Sequence, residues 1–363
     1  MKTESPKRSQ GIGRFINWLK QNGANVYGAS VAEFPGYDLG LKAERNFLEN
    51  ELILRIPREL IFSIHNAAPE LVALQNDPLL QLMPQVALAI ALLIEKHKEY
   101  SKWKPYLDIL PTTYTTVLYM TAADMNELKG SPTLEAALKQ CRNIARQYAY
   151  FNKLFQKNNN AVSAILRDVF TYEKYCWAVS TVMTRQNIIP SKDGSLMIHA
   201  LIPMWDMCNH ENSKDGFKLR LGISKADPLQ KERVELLNKL DLPAVGEFLL
   251  KPGTEPISDT LLAFLRVFSM RKEELAHWIQ SDRVNDLKHM DCALETVVEE
   301  NVKKFLLTRL QLLIANYPTT LKEDLQLLET TLPRIKKLAI QLRVTEKRIL
   351  QGALEYVQQW IKA

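Results

Sequence analysis

The residue types best suited to chemistry lie in two short stretches of the chain, 184–187 and 203–210. The first reads Thr-Arg-Gln-Asn and the second reads Pro-Met-Trp-Asp-Met-Cys-Asn-His. They combine an arginine, two carboxamides, an indole, a carboxylate and an imidazole. The first stretch is predicted to end a helix and the second to end a strand. Several polar side chains would therefore meet at element ends, where binding and catalytic sites are commonly built.

A metal site is the first chemistry that these residue types suggest. Asp206, Cys208, His210 and Glu211 are all potential ligands. The Cys-x-His spacing is not one that zinc sites use, however, and no second ligand pair lies nearby in the sequence. The sequence therefore predicts no metal ion. It also contains no Gly-x-Ser-x-Gly elbow, which argues against a Ser-His-Asp triad.

Each residue also has an ordinary structural interpretation. Arg185 could be a surface arginine that the dipole favours at a helix C-terminus. Trp205 could be a core aromatic residue, and Asn209-His210 could form a polar turn that satisfies its own backbone groups. The coincidence of two polar element ends is what favours a site over these separate interpretations.

The composition predicts a soluble globular protein of about two domains. Hydrophobic residues make up 46% and charged residues 24% of the 363-residue chain, and the net charge is +6 without a long Lys/Arg block. Nucleic-acid binding is therefore not expected. Four widely spaced cysteines without a CxxC pair favour reduced thiols in the cytosol or nucleus. Neither a secretion signal nor a membrane span is expected, because the longest apolar run covers only residues 86–94.

Apolar periodicity divides the chain into a mixed α+β part up to about residue 215 and a helical part after it. Residues 1–10 are expected to form a loose tail. Strand character lies between 26 and 57 and again at 199–204, and helices are predicted over 68–100, 133–157 and 171–184. Further helices are predicted over 229–240, 258–268, 271–281, 291–316, 319–330, 333–342 and 345–361, with Thr345 starting the last one.

The two polar stretches belong to a wider pattern that resembles the SET-domain methyltransferases of the Rubisco-methyltransferase-like class, and within that class the actin-histidine N-methyltransferases. The pattern includes Ala-Arg-Gln-Tyr-Ala-Tyr-Phe, Phe-Thr-Tyr-Glu and Trp-Ala-Val-Ser. The matching positions are 145–151, 170–173, 177–180, 182–187, 201–210, 221–225, 261–268 and 317–320. This resemblance implies a SET domain over 11–215 with a helical insertion at 68–184. An all-helical substrate-binding domain over 216–363 would follow it.

The resemblance also implies a binding site for S-adenosylmethionine. Carried over position by position, its residues would be Arg8, Tyr37, Asp38, Leu39, Arg185, Asp206, Met207, Cys208, Asn209 and His210. Arg185 and Asn209 would lie near the amino-acid end of the cofactor, and the backbone of His210 near its adenine. The chain departs from the family at Tyr-Asp-Leu, where the family usually has Glu-Gly-Phe.

For the substrate, the resemblance implies a protein histidine on actin, with Asn187 and Trp205 as catalytic residues. Arg146 and Gln186 would contact the bound substrate segment, and the protein is expected to be a monomer. Methyl transfer to an imidazole requires the nitrogen lone pair to point at the methyl carbon. A carboxamide oxygen that accepts the N–H of a neutral imidazole directs the other nitrogen, so Asn187 suits histidine. A lysine-directed enzyme of the same fold remains the alternative, often with Phe at this position.

Part of the family pattern has no counterpart between Ser213 and Lys214. The family continues there with an acidic loop, a strand and a Gly-Glu-Gln-Ile-x-Ile-x-Tyr-Gly segment, and about 50 residues of this pattern are absent here. The absent tyrosine lines the methyl-transfer channel in the family. A skipped exon, an edited sequence and a non-catalytic actin-binding isoform are the possible origins, and the first is favoured. This chain is therefore expected to be weakly active or inactive.

Overall fold

The structure is a computed structural model that describes residues 6–35, 38–210, 216–292, 294 and 296–362. The side chains at 6–10, 361 and 362 lie outside that description. Two compact units are present, one formed by Met1–Tyr119 and Leu138–Glu211 and the other by Met120–Ala137 and Asn212–Ala363. Within the described ranges, no helix is long and apolar enough to cross a bilayer.

The helices account for most of the regular structure. In chain order they are α1 Pro6–Gln21, α2 Pro78–Leu82, α3 Pro84–His97, α4 Lys104–Leu107, α5 Ala122–Asn126, α6 Thr133–Lys157, α7 Ala161–Leu166, α8 Tyr172–Arg185, α9 Gln230–Lys239, α10 Asp259–Ser269, α11 Lys272–Gln280, α12 Thr296–Ala315, α13 Leu321–Leu328 and α14 Arg334–Lys362. The predicted helices over 133–157 and 171–184 are confirmed as α6 and α8.

The strands pair as four antiparallel two-stranded sheets in the described part of the chain. They are β1 Asn25–Val26 with β4 Leu54–Arg55, β2 Ala29–Phe34 with β3 Asp38–Ala43, β5 Gln186–Pro190 with β6 Met197–Leu201, and β7 Phe217–Gly222 with β8 Val245–Leu250. The predicted α+β class is confirmed.

The core of the first unit is built around α3. Its run 86–94 is buried at every position, which is the behaviour of a helix that is apolar on all sides. The helix predicted over 68–100 is instead divided into a 3-10 turn, α2 and α3. Pro69, Pro78 and Pro84 each lie at the start of one of these pieces. A proline fits the first turn of a helix but interrupts its interior, so each one begins a new segment.

The second unit packs α10, α12 and α14 around a common apolar core that also includes side chains of β7 and β8. The part of the chain after residue 216 was expected to be entirely helical. The β7–β8 hairpin in this part was not predicted. The expected break before Thr345 is wrong, because α14 continues through it. Thr345 Oγ1 donates a hydrogen bond to the carbonyl of Gln341 at 3.1 Å, which satisfies the hydroxyl inside the helix.

A buried charged cluster lies between α13 and α14. Arg343 Nη2 and Lys347 Nζ donate to the two carboxylate oxygens of Asp324, at 2.5 and 2.6 Å. All three side chains are at most 2% exposed. Burial alone would raise the pKa of Asp324. The hydrogen bonds from Arg343 and Lys347 lower it by more, so the pKa of Asp324 lies below its ordinary value. The carboxylate therefore stays charged and pairs with both cations, and Glu127 Oε2 lies 2.7 Å from Arg343 Nη1 as a second carboxylate.

Candidate active site

The junction of α8 and β5 positions the first group of polar side chains. Gln186 is both the residue after the last helical turn and the first residue of β5. Strand β6 runs back beside β5 with Leu201 opposite Gln186 and Ala200 opposite Asn187. The chain that follows β6 therefore returns to the end of α8, and a 3-10 turn at Trp205–Met207 forms there.

An ion pair joins these two segments. Arg185 Nη1 donates to the backbone carbonyl of Asp206 at 2.9 Å and lies 3.5 Å from its Oδ2. The side chain of Asp206 is fully buried, and that of Arg185 is 11% exposed. Burial raises the pKa of Asp206 above its ordinary value, although Arg185 lowers it. Keeping Asp206 charged therefore costs the folded chain free energy.

Two tyrosines that the sequence did not single out complete this cluster. The hydroxyl of Tyr106 donates to Asp206 Oδ2 at 2.5 Å. Tyr114 forms a 2.9 Å hydrogen bond with Thr181 Oγ1 on α8. Burial raises the pKa of both tyrosines, so both stay neutral as hydrogen-bonding groups. Their sequence neighbourhood, a Pro- and Thr-rich connection, carried no signal of this role.

Two buried atoms of the ion pair have no hydrogen-bond partner within the described residues. They are Arg185 Nε, which is a donor, and Asp206 Oδ1, which is an acceptor. Buried polar atoms are nearly always paired, and unpaired ones carry a substantial free-energy cost. A ligand that offers both an anionic acceptor and a cationic donor would satisfy the two together.

Asn187 and Trp205 are brought together at the exposed edge of the same site. The indole N–H of Trp205 donates to Asn187 Oδ1 at 3.2 Å, and Asn187 Nδ2 donates to the carbonyl of Arg185 at 3.3 Å. The Trp205 side chain is 49% exposed, so it is not a core residue. Met204, just before it, has a φ of 75°, which is strained for a side chain of this size.

Strand β3 approaches the same region through Gly40. A Cβ atom at that position would lie 2.7 Å from Asn209 Nδ2 and 3.0 Å from the ring of Phe34. Only glycine lets the Asn209 carboxamide come this close to the strand. The structure thus links the predicted Asp38 and Leu39 segment to Asn209.

Curated relatives and a family profile identify the arrangement. Residues 224–350 match the family described as Rubisco LSMT substrate-binding. The chain is 36% identical to the actin-histidine N-methyltransferase of Drosophila melanogaster, covering 95% of this chain and 77% of that protein. The protein of the same name from Gallus gallus is 35% identical, with coverage of 96% and 69%. The chain belongs to the actin-histidine N-methyltransferase family.

The family alignments contain positions that this chain lacks. The alignments with the Drosophila melanogaster and Gallus gallus proteins run over 420 and 407 residues, whereas the whole chain has 363. Each alignment therefore includes many positions at which the relative has a residue and this chain has none. The segment predicted to be absent after Ser213 is consistent with these lengths.

Solved structures give the fold of this family member. The SET domain of LSMT bound to lysine and AdoHcy matches with a TM-score of 0.78 over 98% of this chain and 92% of that chain, at 19% identity. Rubisco LSMT bound to AdoMet matches with a TM-score of 0.76 over 96% and 92%, also at 19% identity. The predicted SET fold with a Rubisco-methyltransferase-type substrate-binding domain is confirmed.

The other residues carried over from the family lie in different surroundings. The side chain of Met207 is buried in the core of the first unit, whereas Cys208 and His210 are exposed. Gln186 Oε1 lies 2.9 Å from His199 Nδ1 across the β5–β6 hairpin. Arg146 is exposed on α6. The Arg8 side chain and Tyr37 lie outside the described residues, and the roles of all the carried-over residues stay predictions.

The structure also bears on metal ligands. Among the described residues, no group of three or more His, Cys, Asp and Glu side chains is placed to hold a metal ion. All four cysteines are free thiols. Burial raises the pKa of Cys208, the one beside the site, so it is protonated near neutral pH.

Proposed function

We propose that this chain is an S-adenosylmethionine-dependent protein-histidine N-methyltransferase that acts on actin. The observation that carries the proposal is the hydrogen bond from the Trp205 indole to Asn187 Oδ1, next to the Arg185–Asp206 pair. It places a carboxamide suited to imidazole beside a buried charged pair suited to an amino acid. The family membership of the chain supports the same activity.

The residues of the ion pair fit S-adenosylmethionine. The amino-acid end of this cofactor carries a carboxylate and an ammonium group, and its sulfonium supplies an electrophilic methyl group. Arg185 Nε is a buried donor without a partner and Asp206 Oδ1 a buried acceptor without one. Arg185 would hold the carboxylate and Asp206 the ammonium group, as charge-assisted hydrogen bonds. Asn209, held against Gly40, would contact the same end.

Asn187 would orient the target imidazole. Its Oδ1 has two lone pairs, and the Trp205 indole uses one of them. The second can accept the N–H of a neutral imidazole, which leaves the other ring nitrogen with a free lone pair directed away from the carboxamide. Because Trp205 fixes the carboxamide, the imidazole meets a preorganised acceptor. A lysine ammonium could also donate to this oxygen, but it has no lone pair to attack the methyl group until it loses a proton.

The absent segment sets this chain apart from its relatives. The family tyrosine of that segment has no counterpart here, so one wall of the methyl-transfer channel is missing. Loss of positioning in such a channel costs activity steeply. Two functions therefore compete for this chain, a weak methyltransferase and a non-catalytic actin-binding protein. A monomer in the cytoplasm or nucleus is proposed in both cases.

The test is mass spectrometry of unmethylated actin incubated with this chain and S-adenosylmethionine. A second protein carries the corresponding segment of the Drosophila melanogaster relative between Ser213 and Lys214. We expect the restored chain to add one methyl group to a histidine peptide and the original chain to add little or none. Pull-down of actin by both proteins measures binding separately from catalysis.

Each outcome decides between the candidates. Methylation by the original chain would show that the channel tyrosine is dispensable. Binding without methylation by both proteins would favour the non-catalytic function. In the restored chain, Asn187→Phe should reduce histidine methylation and increase activity on a lysine peptide at the same position. Methylation of lysine by the restored chain without this substitution would instead identify a lysine methyltransferase.

A further inference from the structure

A cavity of about 560 Å³ lies in the first unit, and none of its lining residues belongs to the candidate active site. Its walls come from the C-terminal end of α3, the first turns of α8 and the connection around residues 112–119. The volume falls in the range of sites that enclose small organic molecules. None of its lining residues has a role in the proposed methyl transfer.

Aromatic and apolar side chains form the body of the cavity. Leu118, Tyr119, Tyr172 and Trp177 all line it. The indole N–H of Trp177 donates to the carbonyl of Pro111 at 2.7 Å, which fixes the orientation of the ring. Burial raises the pKa of Tyr119 and of Tyr172 to about 12, so both hydroxyls stay neutral at physiological pH. The walls therefore suit a flat, apolar ring.

Two lysines make the rim electropositive. Lys96 Nζ lies 4.0 Å from the centroid of the Trp177 ring, and Lys174 follows on α8. Across the part of the chain that the structure describes, no carboxylate lies within ion-pair distance of either ammonium group. The nearby Asp108 pairs instead with Lys104 at 3.0 Å. Glu173 contributes one negative charge to the lining, so the balance stays positive.

The surroundings of Lys96 disfavour its positive charge. Burial lowers its pKa, and Lys104 and Lys174 lower it further, while Asp108 only partly opposes them. A cation without a counter-ion in partly desolvated surroundings attracts an anion strongly. The cation–π contact with Trp177 keeps this charge directly above an aromatic wall.

We propose that this cavity binds a small aryl carboxylate or aryl sulfonate. The aromatic ring would pack against Trp177 and Tyr119, and the anionic group would lie between Lys96 and Lys174. The cavity would thus be a second ligand site in this chain, separate from the cofactor and substrate sites of the proposed function.

The test is isothermal titration of the full chain with 1-naphthalenesulfonate, and with 1-naphthalenemethanol as the neutral analogue. Lys96→Met removes the charge but keeps a similar apolar stem, and Lys174→Met is the second variant. Lys102→Met is the matched control, because Lys102 Nζ lies 5.0 Å from the ring centroid of Trp103, which does not line the cavity. Thr113→Trp places a large ring at the rim and should block entry.

We expect the sulfonate to bind with a Kd below about 1 mM and the neutral analogue to bind at least about tenfold more weakly. Lys96→Met and Lys174→Met should each weaken sulfonate binding by about tenfold and leave binding of the neutral analogue unchanged. Lys102→Met should match the wild-type chain. Absence of binding by the wild-type chain overturns the proposal. So does equal binding of the two probes, or unchanged sulfonate affinity in Lys96→Met, Lys174→Met and Thr113→Trp.

Discussion

Replacing Asp206 by asparagine should stabilise the folded chain while weakening its cofactor site. Asp206→Asn keeps the shape of the side chain and an oxygen that can accept from Tyr106. It removes the negative charge that lies 3.5 Å from Arg185 Nη1. The backbone carbonyl at position 206 still accepts the 2.9 Å hydrogen bond from Arg185. The guanidinium therefore keeps one partner in the variant.

Two losses oppose one gain in this substitution. The charge attraction to Arg185 is worth about 5 kcal/mol at an effective dielectric constant of about 20. Weakening a charge-assisted hydrogen bond from Tyr106 costs about 1 kcal/mol more. The gain is relief of the burial cost of a carboxylate, several kcal/mol in real proteins. The raised pKa of Asp206 decides the balance, because protonation also removes both attractions and is nevertheless favoured by folding.

We expect the free energy of unfolding of Asp206→Asn to exceed that of the wild-type chain by about 1 kcal/mol at pH 7. The folded-state pKa of Asp206 lies above its ordinary value of 3.8, so wild-type stability falls as pH rises through that interval and then levels off. The stability of the variant lacks this fall with pH. The difference in free energy of unfolding between the variant and the wild-type chain should therefore shrink as the pH is lowered towards 4. Urea denaturation at several pH values measures it. In the restored chain, S-adenosylmethionine affinity should fall at least about tenfold by titration calorimetry.

Asp193→Asn provides the control with the opposite sign. Hydrogen bonds from Ser191 and Ser195 lower the pKa of this exposed turn residue to about 2. Its stabilisation is present above the unfolded-state pKa and is lost as pH falls towards 2. Loss of about 2 kcal/mol or more in Asp206→Asn at pH 7 would refute the reasoning. It would mean that attraction to Arg185 outweighs burial.

Three further substitutions test other parts of the structure. Gly40→Ala should displace the Asn209 carboxamide, which lies 2.7 Å from the added Cβ, and weaken S-adenosylmethionine binding about tenfold in calorimetry, with a small fall in the thermal midpoint because the Phe34 ring at 3.0 Å must also shift. Trp205→Phe should lower kcat of the restored chain about tenfold through loss of its indole N–H, with unchanged stability because the ring is half exposed. Asp324→Asn should cost about 3–5 kcal/mol in urea denaturation because Lys347 is left buried without its counter-charge, while Arg343 keeps only Glu127. The lowered pKa of Asp324 means that this loss appears above its unfolded-state pKa and disappears as pH falls through the folded-state value.

The sequence predicted the helices correctly where apolar periodicity alone determines the local structure. Helices α6 and α8 lie where their periodicity predicts them, because an amphipathic or apolar face repeats over many turns. The long helix expected over 68–100 is divided at its prolines, whose ring geometry overrides apolar periodicity. Thr345 was expected to begin a helix and instead lies inside α14, since its hydroxyl can also bond to the preceding turn.

By itself the sequence determined the family, the residue types of the site and the helix end at 184–187. These features depend on neighbours in the chain, which put Arg185, Gln186 and Asn187 together at the end of that helix. Only the tertiary structure decided that Tyr106 contacts Asp206 across 100 positions and that Gly40 admits Asn209. It also decided the protonation energetics, because the pKa of Asp206 depends on burial and on a guanidinium 21 positions away. Local sequence does not encode such long-range contacts, since they exist only once separate segments have packed and excluded water.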